Sequence, residues 1–291
     1  MRKSDKVIVI IVTVFLIMLF VFLYTGIKSR TGRYETVSGS EKIALVELRG
    51  MITDSRSVVN LLFKYSKRSD IKGIVLRIDS PGGGVAPSQE IYEAVRGVRE
   101  SGKPIIASFA SAAASGGYYA ALGATKIMSN PGSITGSIGV IVTLPMIYEL
   151  LDKIGVKIET RKSGDLKDTG SPYRELNERD KSYLDDIINN LHGQFIDAVA
   201  KERNIGRNDL LKMADGRIFT GLQAFELGLV DTLGTLEDAI SLTGNLAGIE
   251  GRPRVISEKK KKITLIDLLF SDFEDVMSIM TRIPTLNYLW K

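Results

Sequence analysis

From residue 42 onward, short runs of apolar and β-branched residues alternate with segments whose apolar positions recur every three or four residues. IALVEL (43–48), GIVLRID (73–79), PIIASFA (104–110), KIMS (126–129), SIGVIVT (137–143) and VKIET (156–160) read as strands. The stretches 57–68, 88–101 and 146–155 between them carry amphipathic helical spacing. Strands that are apolar almost throughout need cover on both faces. Alternating with helices, they predict an α/β domain of mostly parallel strands. Leu184, Ile187, Ile188, Leu191, Phe195 and Val199 then fall at helical spacing and predict a long helix over 177–203. A short helix near 208–213 and a helical region reaching Ala247 follow.

The start of the chain has a different pattern. Val7–Ile27 contains no charged residue, and a helix of that length covers about 30 Å, the hydrocarbon thickness of a bilayer. A signal-peptide core is shorter and ends in small residues at a cleavage site; this run ends in YTGIKSR. The segment is therefore expected to be a retained membrane anchor. Arg2, Lys3 and Lys6 on one side face Lys28, Arg30 and Arg33 on the other, so charge alone does not orient it. The expected organisation is a start and anchor over 1–27, a polar linker over 28–41, an α/β domain over 42–250 and a basic, amphipathic tail over 251–291.

Composition narrows the chemistry. The 291 residues include no Cys and one His, which removes disulfides, thiolate nucleophiles and cysteine metal sites. No metal or cofactor is expected. The net charge of +5 is concentrated in Arg252, Arg254 and Lys259–Lys262. The remainder shows no basic face interleaved with aromatics, so a solvated or lipid-facing tail is expected rather than nucleic-acid binding.

Three polar or glycine-rich stretches follow strands, where open α/β sheets place their ligands. DSPGGG (79–84) leaves backbone N–H groups able to hold an oxyanion or a phosphate, or it is simply a tight turn; no Lys-Ser/Thr follows as a P-loop requires. In SAAASGGYYA (111–120), Ser115 stands before two glycines at a helix start, either as a nucleophile or as a small packing residue. An N–H from Gly116 and one from the glycine turn, best placed at Gly83, can pair on a developing oxyanion. A nucleophilic serine needs a base. His192 lies mid-helix, presented by no loop, whereas Lys162 and Lys167 in KSGDLKD (162–168) occupy a polar loop. A lysine base must fall from a pKa of about 10.4 to near neutrality, about 4 kcal/mol of disfavoured charge, which requires burial. A hydroxyl of Ser133, Thr135 or Ser137 in SITGSIG can orient such an amine, or these can be capping groups.

Taken in order, DSPGGG, AAASGGYYAA, NPGSITGSIGVI, KSGDLKD with SPYREL, and DGRIFTGLQAFELGLVDTLG resemble the signal peptide peptidase A family in its short membrane-anchored form. The likeness runs from about residue 42 to 247. It implies the Clp protease/crotonase-like fold of repeated ββα units, preceded by one transmembrane helix, and a Ser/Lys serine endopeptidase. It assigns Ser115 as nucleophile, Lys167 as general base, Gly83 and Gly116 as oxyanion hole and Ser137 as the hydroxyl that orients the lysine. It further implies a homo-oligomer whose sites form between neighbouring subunits, and a catalytic domain on the extracytoplasmic side of the cell membrane. Cleaved signal peptides are the implied substrates. The ending NYLWK is similar to tails that lie in the groove of some relatives; an amphipathic helix on the bilayer is the other reading. A crotonase-type acyl-CoA enzyme, a peptidase of intact membrane proteins and a non-catalytic scaffold are the competing functions.

Overall fold

The computed structural model describes residues 41–258 and 287–289, all within one compact unit. The anchor expected at Val7–Ile27 and most of the tail lie outside the described residues. Among those described, no helix is long and apolar enough to cross a membrane.

The strands are β1 (Lys42–Arg49), β2 (Ile71–Ser80), β3 (Gly82–Gly84), β4 (Ile105–Ala114), β5 (Lys126–Ser129), β6 (Ile134–Gly136), β7 (Ile218–Thr220), β8 (Thr232–Leu233), β9 (Arg254–Ser257) and β10 (Asn287–Leu289). The helices are α1 (Arg56–Ser66), α2 (Val85–Glu100), α3 (Gly116–Ala121), α4 (Tyr148–Lys153), α5 (Glu178–Arg203), α6 (Arg207–Leu211), α7 (Gly221–Glu226) and α8 (Leu236–Leu246). A 3₁₀ turn spans Asp165–Asp168.

The sheet runs β7-β6-β4-β2-β1-β9, with β5 and β8 continuing from the first half of β4. Every pairing in it is parallel except β6 with β7. The long strand β4 serves two neighbours: Ile106–Phe109 pair with β5, and Ala112–Ala114 pair with β6. Side chains alternate between faces, and both faces are covered. Ala44, Val46 and Leu48 of β1 and Ile74, Leu76 and Ile78 of β2 enter the main core with α1, α2 and α3. Ile43, Val75 and Ile106 point the other way, against Ala239 and Ile240 of α8. Each such buried side chain contributes about 1.5–3 kcal/mol of transfer free energy. This double cover is why the strands read as continuous apolar runs.

Three segments differ from the sequence pattern. The strand expected over 137–143 is displaced: β6 occupies 134–136 and ends where Ser137 takes φ 50°. VKIET (156–160) is in no named strand, and its backbone has no sheet partner among the described residues. β9, placed by composition in the tail, pairs with β1 from Lys42 to Leu45 and extends the sheet. Its alternation was masked by the surrounding arginines and lysines.

Candidate active site

The site is assembled where β2, β4 and β6 end. Beyond β2, Gly82 at φ 105° turns the chain, its N–H donating to Ser80 Oγ at 3.1 Å. β3 is then fastened to Ile52: Ile52 N–H donates to the Gly82 carbonyl and Gly84 N–H to the Ile52 carbonyl, both at 2.8 Å. A Cβ at position 83 would lie 2.2 Å from the Ile52 oxygen, so only glycine fits. Because neighbouring residues of a strand present their polar groups to opposite edges, the N–H and C=O of Gly83 face away from Ile52. On that edge β10 pairs antiparallel, Tyr288 opposite Gly83. The tail strand therefore lies along the glycine turn.

β4 and β6 end together. Ala114 pairs with Gly136, Ser115 N–H donates to the Gly136 carbonyl at 2.8 Å, and the next residues, Ser115 and Ser137, take φ 52° and 50°. Among the described residues only Asn204 shares a positive φ without being glycine. Such backbone is costly for a residue with a Cβ and concentrates at functional sites. Gly117 fits because a Cβ there would lie 3.1 Å from the Ser80 carbonyl, which brings the start of α3 against the end of β2. The Gly116 N–H belongs to the first helical turn, where no intrahelical acceptor exists. Ser115 is fully buried, and its Oγ has no hydrogen-bond partner among the described residues. An unsatisfied buried hydroxyl is destabilising, so this serine is held against a stability gradient.

The structure separates residues that the sequence left equivalent. Ser133 Oγ donates to the Ala110 carbonyl at 2.5 Å and Thr135 Oγ1 to the Ala113 carbonyl at 2.8 Å, so both fasten β6 to β4. Ser137, 6% exposed, makes no side-chain hydrogen bond among the described residues. Lys162 donates to the Asp165 carbonyl at 2.9 Å and pairs with Asp168 at 2.8 Å. The Lys167 side chain makes no hydrogen bond or ion pair among the described residues, while its backbone N–H donates to the Gly164 carbonyl at 3.1 Å. It is exposed on the 3₁₀ turn, and since Ser115 Oγ is unpartnered, the two are not bonded within one chain. His192 lies in α5 with Nε2 buried and unpartnered, so it does not bond the serine either.

Lys167 belongs to an arm, 139–169, in which no residue is buried. Ile141, Met146, Leu150, Ile154, Val156 and Ile158 stand exposed along it, Ile154 at 63%. Its polar anchorage was not read from the sequence: Arg174 bridges Asp168, beside the lysine, to Asp180 at the start of α5. Asn177 and Asp180 form a capping box there, a signal visible in N-E-R-D. Arg174 holds both carboxyls well below the usual carboxylate range, mainly by hydrogen bonding.

A mostly parallel α/β sheet with a serine on a strained strand end beside a glycine edge has the architecture of a Clp protease-like hydrolase, and the Clp protease family matches residues 33–135. Peptidase family S49 matches residues 98–250, more than half of the chain. The chain belongs to this family and is a protease of the signal peptide peptidase A type. Two relatives bear the name "Putative protease". One, from Synechocystis sp., is 45% identical over 214 residues, 73% of this chain and 77% of its own. The other, from Methanocaldococcus jannaschii, is 34% identical over 269 residues, 87% and 86% of the two chains. The "Putative signal peptide peptidase SppA" of Enterococcus faecium is 36% identical over 219 residues, 71% of this chain and 64% of its own.

Proposed function

We propose that this protease is a serine endopeptidase anchored in the cell membrane by Val7–Ile27, with its α/β domain on the extracytoplasmic side. It hydrolyses apolar peptides, remnant signal peptides among them, using Ser115 of one subunit and Lys167 of a neighbour. The observation that carries this reading is the buried, unbonded Ser115 Oγ on a strained strand end, next to the edge of Gly83 along which β10 pairs. The exposed apolar arm supports a shared site. A segment without a sheet partner and a row of exposed aliphatics suit packing against another copy. That packing also supplies the burial a neutral amine requires.

In this mechanism a peptide lies along β3, held by backbone pairing of the kind β10 makes. Neutral Lys167 accepts the Ser115 proton as Oγ attacks the carbonyl carbon, with Ser137 orienting the amine. The N–H groups of Gly83 and Gly116 receive the oxyanion; one such donor is worth about 2.7–4 kcal/mol. The C–N bond then breaks and the lysine passes its proton to the leaving amine. Water, giving its proton to the same lysine, attacks the ester; the C–Oγ bond breaks, the lysine returns that proton to Ser115 Oγ, and the carboxylic product leaves. The test is a fluorophosphonate probe on the full chain in detergent, with the adduct mapped by mass spectrometry. Adduct at Ser115, lost with activity on an apolar peptide in Lys167→Ala, is expected. Hydrolysis by a protein whose Ser115 never labels would overturn the assignment.

A further inference from the structure

The SPYREL segment has no part in the mechanism above, yet Arg174 within it is the most heavily bonded cation near the arm. Its Nε and Nη2 donate to the two oxygens of Asp168 at 2.9 and 2.7 Å. Its Nη1 and Nη2 reach Asp180 at 2.5 and 3.1 Å, and Nη1 also meets the Glu175 carbonyl at 2.9 Å. Asp180, with a side chain 1% exposed, receives Thr169 Oγ1 at 2.7 Å and the Asn177 N–H at 3.1 Å. Thr169 follows Asp168 directly, so the turn carrying Lys167 is tied to the first turn of α5 at two successive residues.

We propose that Arg174 is a positioning residue for the Lys167 base: it fixes the 3₁₀ turn on α5 and occupies the carboxylate adjoining the lysine. The proposal rests on the Ser/Lys reading. The physical need is specific. A free carboxylate near the amine stabilises its ammonium form and opposes the loss of charge that a lysine base requires. The two carboxylates of the turn, and the one bonded to it through Thr169, each have a cationic partner. Asp168 has Arg174 and Lys162, Asp180 has Arg174, and Asp165 has Arg179 at 2.7 Å. A guanidinium fork is suited to bridging two carboxylates at once; an ammonium is not.

The test measures kcat, KM and the acid limb of the kcat/KM–pH profile for the full chain and four variants, on one apolar peptide. In Arg174→Gln, kcat is expected to fall about 10–100-fold through misplacement of the amine, with KM little changed. Its acid limb should move up by about one pH unit, because the guanidinium charge is lost and Asp168 keeps only Lys162 as a partner. Arg174→Lys retains a charge without the bridge, so its limb should stay near wild type while kcat remains reduced. Asp168→Asn combined with Arg174→Gln should return the limb to the wild-type position without restoring kcat. A reduced kcat with an unmoved limb in Arg174→Gln, or wild-type behaviour throughout, overturns the proposal. If Arg174→Gln does not fold, a wild-type kcat in Arg174→Lys overturns it as well. Lys167→Ala separates the two levels. Full activity there refutes the dyad itself, whereas an inactive Lys167→Ala beside an unaffected Arg174→Gln refutes the positioning role alone.

Discussion

Removing the Ser115 hydroxyl is predicted to stabilise this protein in a defined background. Ser115 is fully buried with Oγ unbonded, and a buried polar group without a partner costs about 1–3 kcal/mol. Ser115→Ala removes that burden and leaves the strained backbone of φ 52°, ψ −116° in place. Ser115→Gly relieves the backbone as well, a gain of about 1–3 kcal/mol offset by about 0.5–1 kcal/mol of glycine entropy. In the proposed shared site the amine of Lys167 would satisfy Oγ, so the clean background is Lys167→Ala. There, Ser115→Ala should raise stability by about 1–2 kcal/mol, or about 2–8 °C in Tm at 2–4 °C per kcal/mol for a domain of this size. With Lys167 present the gain should shrink by about 1 kcal/mol, the worth of one hydrogen bond. The assay is thermal unfolding of the four proteins of the cycle at one fixed concentration, since assembly makes Tm concentration-dependent. A loss of more than about 1 kcal/mol for Ser115→Ala beside Lys167→Ala would show a satisfied hydroxyl and refute the reasoning.

Gly83→Ala should lower kcat/KM by about 100-fold or more with Ser115 and Lys167 intact. The added Cβ meets the Ile52 oxygen at 2.2 Å and displaces the edge that carries the Gly83 N–H; near-normal steady-state kinetics would contradict this. Tyr118→Phe should destabilise by about 1–3 kcal/mol in thermal unfolding, because the buried Tyr118 hydroxyl donates to the Leu229 carbonyl at 2.8 Å, which is left unpaired. Asp168 and Asp180 are held below the usual carboxylate range, first by their bonds to Arg174, so their contribution is full above about pH 4 and fades as pH falls further. Hydrogen exchange over 162–180, corrected for intrinsic rate, should be constant from pH 8 to about 5 and accelerate only below about 4; loosening already near pH 6 would refute the clamp.

The sheet was legible because its strands are covered on both faces. Ile43 and Ala44, or Val75 and Leu76, are buried on opposite sides and so read as one apolar run. Residue type marked the glycine turn and Ser115 as candidates, but left a tight turn and a packing serine open; the family resemblance made the choice. β9 was not legible, since four residues that begin with Arg254 and are flanked by Arg252 and Glu258 carry too little alternation to stand out from a charged tail. VKIET was misread for the opposite reason. Its β-branched residues have strand character, but pairing is a tertiary property, and no strand lies beside it among the described residues. Residue type alone also left open which lysine and which hydroxyl remain uncommitted; only the family resemblance singled out Lys167 and Ser137. Lys162 and Lys167, like Ser133 and Ser137, differ only in the partners that the fold supplies.

The shared site is tested most directly by mixing two inactive proteins. Ser115→Ala and Lys167→Ala chains, each without activity alone, are dissociated, combined and reassembled, and hydrolysis of an apolar peptide is followed. If the base of one subunit serves the serine of its neighbour, the mixture regains a sizeable fraction of wild-type turnover, rising with the proportion of mixed contacts. A mixture as inactive as its components, in assemblies shown by native mass spectrometry to contain both chains, would contradict the account.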